Sequence, residues 1–523
     1  MTMRDETTPL QAWLFLVPFL LLLALLLRLA ERQFANKTSK SKQRQQADEG
    51  HGRRLPPSPP GLPLIGHLHL VGFLPHVSLR DLAARYGRDG LMLVRLGSVP
   101  TLVVSSTRAA KAVLRTYDHL LASRPPSAVA HALLNGKLDV ALAAYGDQWR
   151  QAKRLLNTHL LAARKVQSYR AGREEEVRLA MAKVSSHAAA APGQPVDVSD
   201  LLYAFTTDLM CRAVSGRFFK VDDRCRRFRE LMDATAALIG GFNAEDYFPW
   251  LLRVGAYRRA VCAKAKRLRK RWDELLDKVI DDQEGKQQEP DFIEVLLSHQ
   301  HEYGLTRDQI KAMLIDIFFG GTDTSYLVLE FIMAELLRNP RVMSRLQDEV
   351  RHSVPKGQEM VTEGDLTTMS YLKAVIKETL RLHPPAPLLV PHHSMADVHI
   401  DGFIVPAEIP ILVNAWALGR DTNVWEDAEE FKPERFIDMG SDTNISFKGN
   451  DFKFLPFGAG RRICPGMNFS ISTLEIMLAN LVYCFNWEVP AGMGGTSIDM
   501  TEVFWLTVHR KEKLLLVPKT LGV

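Results

Sequence analysis

Cysteine is scarce in this 523-residue chain, and the few cysteines lie far apart. They are Cys211, Cys225, Cys262, Cys464 and Cys484, and no two of them have the spacing of a CxxC pair. Small disulfide frameworks and structural zinc sites are recognised by even numbers of closely spaced cysteines. We therefore expect neither in this protein, and the scarcity favours a reducing compartment.

Segregated charge and internal repeats are also lacking. Lysine and arginine number 66 and aspartate and glutamate 60, and the two signs are interleaved along a chain whose net charge is +6. A nucleic-acid-binding protein would carry a basic cluster, so no nucleic-acid partner is expected. With 46% hydrophobic and 24% charged residues, the composition is that of an ordinary globular protein with a large core.

The one long apolar run lies near the N-terminus. Residues 12–27 read AWLFLVPFLLLLALLL without a charge, nearly enough to span a bilayer. A cleaved signal peptide would need a basic flank, but Arg4 is outnumbered by Asp5 and Glu6, and a buried core helix is not expected at a chain end. We predict a retained anchor helix within residues 1–30, with the basic residues after it placing the rest of the chain on the cytosolic side.

A polar tether and a proline-rich hinge are predicted over residues 31–60. The tether has no hydrophobic periodicity, and the prolines after Leu55 favour a stiff, extended backbone. Such a segment could bind an SH3-type domain, but the apolar Leu62, Leu64 and Ile65 favour packing onto the protein itself. Residues 61–523 are then expected to form one domain.

The hydrophobic pattern of that domain is mainly helical. Long amphipathic runs predict helices over Val261–Asp281 and Lys311–Arg338. Aliphatic and β-branched residues after glycine and proline predict short strands over Leu91–Leu96 and Thr101–Val104. More strands are expected near residues 400–413 and at the C-terminus, so the expected fold class is mainly α with a small β part.

One cysteine lies in a segment rich in glycine and arginine, PFGAGRRICPG at residues 456–466. Gly458, Gly460 and Gly466 allow tight turns and a close approach of the backbone to a flat ligand. Pro465 has no N–H and is tolerated only at the start of a helix, so we expect a helix to begin there.

Cys464, at the start of that helix, is expected to have a lowered pKa because the helix dipole and exposed amides stabilise a thiolate. No second cysteine, histidine pair or carboxylate is near it in sequence to complete a tetrahedral metal site. A single thiolate can instead supply the one axial bond that a haem iron needs, and Arg462 could pair with a carboxylate of the same ligand. The alternative is an inert cysteine in the core.

These residues resemble a known signature. Phe457, Gly460, Arg462, Cys464 and Gly466 match FxxGxRxCxG, the haem-binding loop of the cytochromes P450. The resemblance implies the cytochrome P450 fold, a large helical domain with a small β-sheet part. It also implies haem b as the cofactor, with Cys464 as the axial thiolate and the whole loop around it in the cofactor site.

A second match is KETLR together with PERF. Glu378 and Arg381 stand three residues apart on one helix face, and PERF supplies Arg435. Alone, such a helix pair would be a solvated ion pair worth about 0.2–0.5 kcal/mol. The resemblance implies the family's Glu-Arg-Arg cluster, which locks the haem-side core and does no chemistry itself.

A third match is GGTDTS, Gly320–Ser325, inside an apolar helix pattern. Glycine in mid-helix costs about 1 kcal/mol relative to alanine, so two of them need a reason. One reason would be a packing notch with a capped hydroxyl. The resemblance implies an oxygen-binding groove in which Thr324 and Asp323 are catalytic, the first holding water or dioxygen and the second feeding protons inward.

Haem propionate contacts are implied by YGDQWRQAKR and LLVPHHS, but both depart from the family pattern. Trp149 is present, whereas the fourth residue after it is Lys153 rather than arginine, and lysine lacks the bidentate fork. His392 stands where many plant members have arginine, which predicts a weaker or pH-dependent contact. For Lys153 and Arg154, ordinary surface charge is the alternative.

Six apolar residues are implied by analogy to line the substrate cavity, although each could equally be ordinary core. They suit a small neutral molecule, and the tryptophan among them stands where many relatives have glycine. The six are Ile317, Phe318, Ala386, Leu388, Phe504 and Trp505. The aromatic segment Tyr247–Leu252 is interpreted as a second membrane contact near a substrate entrance, with a buried loop as the alternative.

The overall pattern resembles plant microsomal enzymes of the A-type group. LRLHPPAPLLVPH, VNAWALGRD and VHRKEKLLL are similar to grass enzymes that hydroxylate indole-derived rings in benzoxazinoid synthesis. The resemblance implies that residues 61–523 form a haem-thiolate catalytic domain. This domain would be a monooxygenase that inserts one oxygen atom from O2 into a small apolar, aromatic plant metabolite.

Partners and location are implied by the same resemblance. Electrons would come from NADPH through a separate cytochrome P450 reductase, and a single anchor would hold the chain in the endoplasmic reticulum membrane with its catalytic domain in the cytosol. Lys448, Lys453 and Arg461, with Lys153 or Arg154, are candidates for docking an acidic reductase face, and a solvated surface explains them nearly as well.

Two other functions stay open. A haem-thiolate isomerase or dehydratase acts without a reductase, but such enzymes usually lack the alcohol that Thr324 supplies. A non-catalytic haem module needs a second axial ligand, and FFGGTDTS contains no histidine or methionine to provide one. Among monooxygenases, a terpenoid, phenylpropanoid or xenobiotic substrate is the alternative to an indole-type ring.

Overall fold

The computed structural model describes residues 54–520 except 137, 217–221, 284–290, 438–444, 491 and 493–497. The predicted anchor and most of the predicted tether lie outside these residues. Helices dominate the described part of the chain, as expected. In chain order the α-helices are α1 (Pro75–Tyr86), α2 (Thr107–Lys111), α3 (Asp118–Leu121), α4 (Ala128–Leu133), α5 (Asp147–Leu155), α6 (Ala163–Ser168), α7 (Arg170–Ala190), α8 (Val198–Ser215), α9 (Asp222–Ile239), α10 (Ala244–Tyr247), α11 (Gly255–Gln283), α12 (Phe292–Ser298), α13 (Arg307–Arg338), α14 (Pro340–Ser353), α15 (Ser370–Leu382), α16 (Ala415–Leu418) and α17 (Met467–Cys484).

The strands are short and form four small sheets within the described residues. Strands β1 and β2 were both predicted, and β2 begins two residues earlier than expected. The strands are β1 (Leu91–Leu96), β2 (Val99–Val104), β3 (Val196–Asp197), β4 (His392–His393), β5 (Val398–Ile400), β6 (Phe403–Val405), β7 (Pro410–Val413), β8 (Phe485–Glu488), β9 (Glu502–Phe504), β10 (Val508–Arg510) and β11 (Leu515–Thr520).

The largest sheet has the strand order β1-β2-β7-β4. Leu96 pairs with Val99, so the β1–β2 hairpin turns through two residues, and Gly97 at φ 64° supplies the left-handed backbone that such a turn needs. Strand β7 runs parallel to β2 and antiparallel to β4. The sheet thereby carries β4 to the edge of the site described below.

Helix α13 is the central helix of the core. It has 32 residues, about 48 Å at 1.5 Å per residue, and most of its side chains are buried. It begins at Arg307, earlier than the predicted Lys311, because Thr306 and Gln309 form a capping box. Of the described helices, α13 alone is long and apolar enough to cross a membrane, and 61% of its apolar window is buried inside the protein.

Helix α17 follows the cysteine loop and packs against α13. It begins at Met467 with Gly466 as its N-cap, two residues later than the predicted start at Pro465. The Oγ atoms of Ser325 on α13 and Ser470 on α17 are 3.4 Å apart. This contact brings the start of α17 close to the glycine-containing turn of α13.

Candidate active site

The cysteine loop is shaped by its own backbone. The Cys464 N–H donates to the Phe457 carbonyl at 2.9 Å. Gly458 and Gly460 lie at φ 68° and 67°, and a Cβ on Gly460 would be 2.2 Å from the Leu114 carbonyl oxygen. The expected tight turns therefore occur at these two glycines.

In the protein chain without haem, the pKa of Cys464 is raised, so the expected lowered pKa is wrong for that state. Burial raises the pKa of the thiol, and the Lys153 charge and the Gly466 and Met467 amides offset this only in part. Helix-end electrostatics are thus weaker than desolvation at this position. A metal ion bound to the sulfur is what deprotonates a thiol in such surroundings.

A pocket of buried basic groups lies beside this loop, and we call it the cationic pocket: Arg124, Lys153, His392 and Arg462. The Arg462 guanidinium donates to the carbonyls of Ala122, Val140 and Ala143 at 2.7, 3.2 and 2.6 Å. It lies 4.1 Å from the centroid of the Trp149 ring, whose Nε1–H donates to the Val140 carbonyl at 3.0 Å. Arg124 donates to the carbonyls of Ala141, Val390 and Pro391 at 2.9, 2.7 and 2.9 Å.

Positive charge in the cationic pocket is only partly compensated by protein carboxylates. Burial, together with the Arg462 charge, lowers the pKa of Arg124 to about 9, and burial lowers that of Arg462 to about 10. Asp139 and Asp118 oppose these shifts on Arg462, but Asp118 is also paired with Arg461 at 2.9 Å. A ligand with two carboxylates, such as haem, would complete this charge balance.

Two residues of the cationic pocket behave differently from the sequence interpretation. Burial, with the Arg124 and Arg462 charges, lowers the pKa of His392 to about 3, and its Nδ1 lies 3.0 Å from the Leu121 carbonyl. His392 is therefore neutral near pH 7 in the protein chain alone, and its contact with a haem propionate stays a prediction. Lys153 is buried, and its Nζ donates to the Ile463 carbonyl, so it is not an exposed docking residue.

On the α13 side, the two mid-helix glycines serve different purposes. A Cβ on Gly321 would lie 2.5 Å from the Met210 sulfur, so this glycine is a packing notch. A Cβ on Gly320 would meet nothing within 4 Å, although the helix around it is buried. The Thr324 hydroxyl donates to the Gly320 carbonyl at 2.7 Å. Gly320 thus leaves open space on a core helix, as a flat ligand requires.

Asp323 is the start of a chain of hydrogen bonds that the sequence did not reveal. The Thr507 hydroxyl donates to Asp323 Oδ2 at 2.6 Å and lies 2.9 Å from His509 Nε2. The Tyr326 hydroxyl lies 2.8 Å from His509 Nδ1. Burial raises the pKa of Asp323 and lowers that of His509. Thr507 and His509 are 184 residues or more from Asp323, and no local pattern marks them.

The Glu-Arg-Arg residues are brought together as their motifs implied. Glu378 and Arg381 are fully buried and 2.7 Å apart, and Arg435 Nε lies 3.0 Å from the same carboxylate. Arg381 also donates to the carbonyls of Gly419 and Ala428. The cluster ties α15 to the segment before the cysteine loop.

The six candidate cavity residues have varied environments. Leu388 is buried and Phe504 half-buried in one apolar cluster next to the β1-β2-β7-β4 sheet, and Ala386 is half-buried two residues before Leu388. Ile317 is buried on α13. Phe318 packs in the core, with its ring centroid 4.6 Å from that of Phe228. Trp505 is 46% exposed.

A cavity of about 1850 Å³ opens beside the cationic pocket. Arg124, Asp139 and Trp149 line its inner part, and Trp250 and Arg258 its outer part, but Cys464 and Thr324 do not line it. It therefore runs from the cationic pocket towards the segment between α10 and α11, rather than forming the site itself.

The chain is similar to known proteins along nearly its whole length. It matches the family model described as Cytochrome P450 over residues 56–517. A Zea mays protein named indole-2-monooxygenase is 54% identical over 519 residues, which cover 97% of this chain and 96% of that protein. A second Zea mays protein, indolin-2-one monooxygenase, is 52% identical over 511 residues, covering 95% of this chain and 94% of that protein.

A solved structure shares the fold. The structure described as zebra fish cytochrome P450 with progesterone superposes with a TM-score of 0.71, covering 85% of this chain and 99% of that one. The two sequences are 24% identical, so this similarity concerns the fold alone.

Proposed function

This chain belongs to the cytochrome P450 family and is a haem-thiolate monooxygenase, and from that premise we propose that its substrate is a small, neutral, indole-derived ring. The observation that carries the proposal is the identity of 54% and 52%, over nearly the whole chain, to two proteins named for indole and indolin-2-one. The apolar surroundings of Leu388 and Phe504 suit such a ring.

Bound haem supplies the activation of dioxygen, and the residues of this chain hold and shield it. Cys464 would hold the haem iron through its thiolate. Arg124 and Arg462 would hold the two propionates, because carboxylates are stronger partners for a guanidinium than the neutral carbonyls that these arginines bind in the protein chain alone. Lys153 fixes the loop through the Ile463 carbonyl.

Proton delivery is assigned to α13 and strand β10. Thr324 orients water at the open space beside Gly320, and Asp323 passes protons towards it. The hydrogen bonds from Asp323 to Thr507 and from Thr507 to His509 support an extension of this path towards solvent, since His509 is 27% exposed. His509 is therefore proposed as a positioning residue that keeps Asp323 supplied with protons.

The proton path is tested with Asp323→Asn, Thr324→Ala and His509→Gln, and with His399→Gln at an exposed histidine as the matched control. We expect the first three to divert NADPH electrons to hydrogen peroxide and to raise the solvent isotope effect on turnover. The carbon-monoxide spectrum should stay unchanged in all four. If His509→Gln formed as much product per NADPH consumed as the wild type, His509 would not belong to the path, and the monooxygenase assignment would be unaffected.

The substrate proposal is tested with full-length protein in lipid vesicles with an NADPH–cytochrome P450 reductase. Indole and indolin-2-one should each be scored for a binding-induced shift of the haem spectrum and for a product containing one atom from ¹⁸O2. One of the two should give both signals. If neither does, while a terpenoid or phenylpropanoid gives both, the indole proposal is wrong.

Reductase dependence separates this function from the isomerase or dehydratase alternative. Product formation should stop when the reductase is omitted, because two electrons are needed for each oxygen atom inserted. Product formed from a preformed hydroperoxide without reductase would instead support the alternative.

The docking face for the electron donor is proposed around Arg154 and Lys448, which are exposed. Lys453 and Arg461 flank the same loop but are already paired with Asp451 at 3.6 Å and Asp118 at 2.9 Å. Arg154→Glu should therefore raise the reductase concentration needed for half-maximal turnover. A rate that is equally low with dithionite as the reductant would show damage to the site instead.

Membrane attachment is proposed through the anchor helix of residues 1–30 at the endoplasmic reticulum, with residues 31–60 as tether and hinge and residues 61–523 as the cytosolic catalytic domain. Exposed apolar side chains support a second contact: Leu64, Phe242, Trp250 and Val254 are 52%, 67%, 54% and 50% exposed. These residues belong to two segments, one around Leu64 and one from Phe242 to Val254, and both are hydrogen-bonded to the β1–β2 hairpin. The Gly97 N–H donates to the Ile65 carbonyl at 3.1 Å, and the Ser98 N–H donates to the Tyr247 carbonyl at 2.9 Å.

Protein lacking residues 1–30 tests this attachment. It should still bind phospholipid vesicles, and Trp250→Asp together with Phe242→Asp should release it, whereas Val424→Asp at another exposed apolar position should not. Release of the truncated protein without any further substitution would contradict the second contact.

A further inference from the structure

Two histidines and a glutamate lie close together near the surface, outside the haem site described above. His159 lies in the π-helical turn Leu156–Leu160 that follows α5, and His299 caps the C-terminus of α12. Their imidazole centroids are 3.8 Å apart at an interplanar angle of 38°. Glu302 Oε2 lies 2.8 Å from His299 Nδ1.

One donor atom from each of these three residues lies within 4.8 Å of the other two. This His-His-Glu set is assembled from two separate elements, since His159 comes from the end of α5 and the other two come from the connection between α12 and α13. Imidazole nitrogens and a carboxylate oxygen are the donors of three-ligand zinc sites, in which water takes the fourth position.

The surroundings hold the two imidazoles in place. The Tyr303 hydroxyl lies 3.1 Å from His159 Nε2, and the Tyr303 ring meets the His159 and His299 rings edge to face, at centroid distances of 5.7 and 6.2 Å. The His299 N–H donates to the Val295 carbonyl at 3.3 Å and fixes the base of the side chain. Partners of this kind orient metal-bound histidines.

We propose that His159, His299 and Glu302 form a binding site for one divalent zinc ion. Zn²⁺ prefers these donors to the all-oxygen sites that Mg²⁺ and Ca²⁺ occupy. The ion would link the end of α5, the helix that carries Trp149 and Lys153, to the segment that leads into α13. The ion is structural in this proposal, because no residue of the haem site is among its ligands.

Zinc binding is measured on the purified, haem-loaded full-length protein after removal of any affinity tag and treatment with a chelator. Isothermal titration with ZnCl2 should give one bound ion in the wild type. His159→Ala and His299→Ala should abolish that binding, and Glu302→Gln should weaken it by about tenfold or more. His301→Ala is the matched control, an exposed histidine in the same connection that should bind zinc normally.

A second measurement keeps the test independent of the folding of any variant. Zinc should raise the thermal unfolding temperature of the wild type and of His301→Ala, but not that of His159→Ala. X-ray absorption at the zinc edge should show nitrogen or oxygen neighbours at about 2.0–2.1 Å. Zinc binding of equal affinity in wild type and the double variant His159→Ala/His299→Ala would overturn the proposal and leave the three residues as an aromatic and polar contact.

Discussion

Two regions of this molecule bury arginine, and they neutralise it in different ways. In the Glu-Arg-Arg cluster, the Glu378 carboxylate lies 2.7 Å from Arg381 and 3.0 Å from Arg435, so both guanidinium groups are in direct contact with a carboxylate of the protein. In the cationic pocket, Arg124 and Arg462 donate mainly to neutral carbonyls. A buried cation that the fold leaves under-compensated indicates where an anionic ligand binds, whereas a compensated one indicates architecture.

The largest effect should follow from removing the shared carboxylate of the compensated region. Glu378→Gln leaves two buried guanidinium groups without their counter-ion, so we expect the free energy of unfolding to fall by about 3–5 kcal/mol. Urea unfolding followed by circular dichroism measures the change. A loss below about 1 kcal/mol would mean that the cluster is solvated and that the contrast between the two regions is wrong.

Around Glu502, a buried carboxylate is compensated by histidines, so the compensation depends on pH. Its carboxylate lies 3.5 Å from His383 and 3.4 Å from His76. Burial opposes ionisation, but the neighbouring His383 and His76 outweigh it and lower the pKa of Glu502 to about 2. Burial likewise opposes charge on His383, and Glu335 and Glu502 outweigh it and raise its pKa, with Arg420 acting in the other direction.

The signs of these shifts define a pH window. Glu502 stabilises the fold above its ordinary pKa of 4.5 and loses this contribution as the pH falls towards 2. His383 stabilises the fold fully below its ordinary pKa of 6.5 and loses this contribution as the pH rises through its raised value. Glu502→Gln should therefore cost about 2 kcal/mol between pH 5 and 6, and less above neutrality. Thermal unfolding of the wild type and of Glu502→Gln between pH 5 and 8 measures this cost. A destabilisation that grew with pH would contradict the proposed pairing of Glu502 with His383.

Removing a cation from the under-compensated region should affect the ligand more than the fold. Arg124→Met removes one buried charge and keeps much of the volume, so we expect haem to dissociate about tenfold faster, equivalent to about 1.4 kcal/mol. Haem transfer to an apoglobin acceptor measures the rate. If Arg124→Met instead destabilised the fold as much as Glu378→Gln while holding haem normally, the two regions would not differ as described.

The smallest effect should come from a surface pair that buries nothing. Lys270 and Glu274 are 3.9 Å apart with side chains 80% and 62% exposed. Glu274→Gln should change the free energy of unfolding by less than about 0.5 kcal/mol. The same urea titration serves as the control for Glu378→Gln, and a cost comparable to that of the buried substitution would show that burial is not the deciding variable.

Much of the site could be read from contiguous sequence. Cys464 and its glycines, Glu378 with Arg381, and Thr324 with Asp323 each lie within a few residues of one another, so residue type and spacing carry the information. The helices α11 and α13 and the strands β1 and β2 were predicted for the same reason, from periodicity and turn residues. The starts of α11, α13 and α17 were misplaced, at Val261, Lys311 and Pro465 instead of Gly255, Arg307 and Met467, because the residues chosen as helix starts do not mark the first helical turn.

The remainder depends on contacts between distant residues. Arg124 was not assigned a role, since its partners are carbonyl oxygens, which leave no signature in residue type. Thr507 and His509 reach Asp323 only through the folding of the C-terminal strands. Desolvation is also invisible in a sequence, and for that reason the pKa direction of Cys464 was misjudged and the low pKa of His392 was not foreseen.

Gly321 and Met210 set the spacing between α8 and α13. The thioether occupies the volume in which a larger residue at 321 would place its Cβ, 2.5 Å from the sulfur. The two positions therefore form a coupled pair: a side chain at 321 requires the flexible Met210 side chain to change its rotamer or to lose volume. Gly321→Ala alone should displace the Met210 side chain, whereas Gly321→Ala combined with Met210→Ala should remove the overlap altogether. A substitution at Met210 on α8 is thus a way to alter the packing of the helix that carries Thr324 without touching the side that Gly320 leaves open.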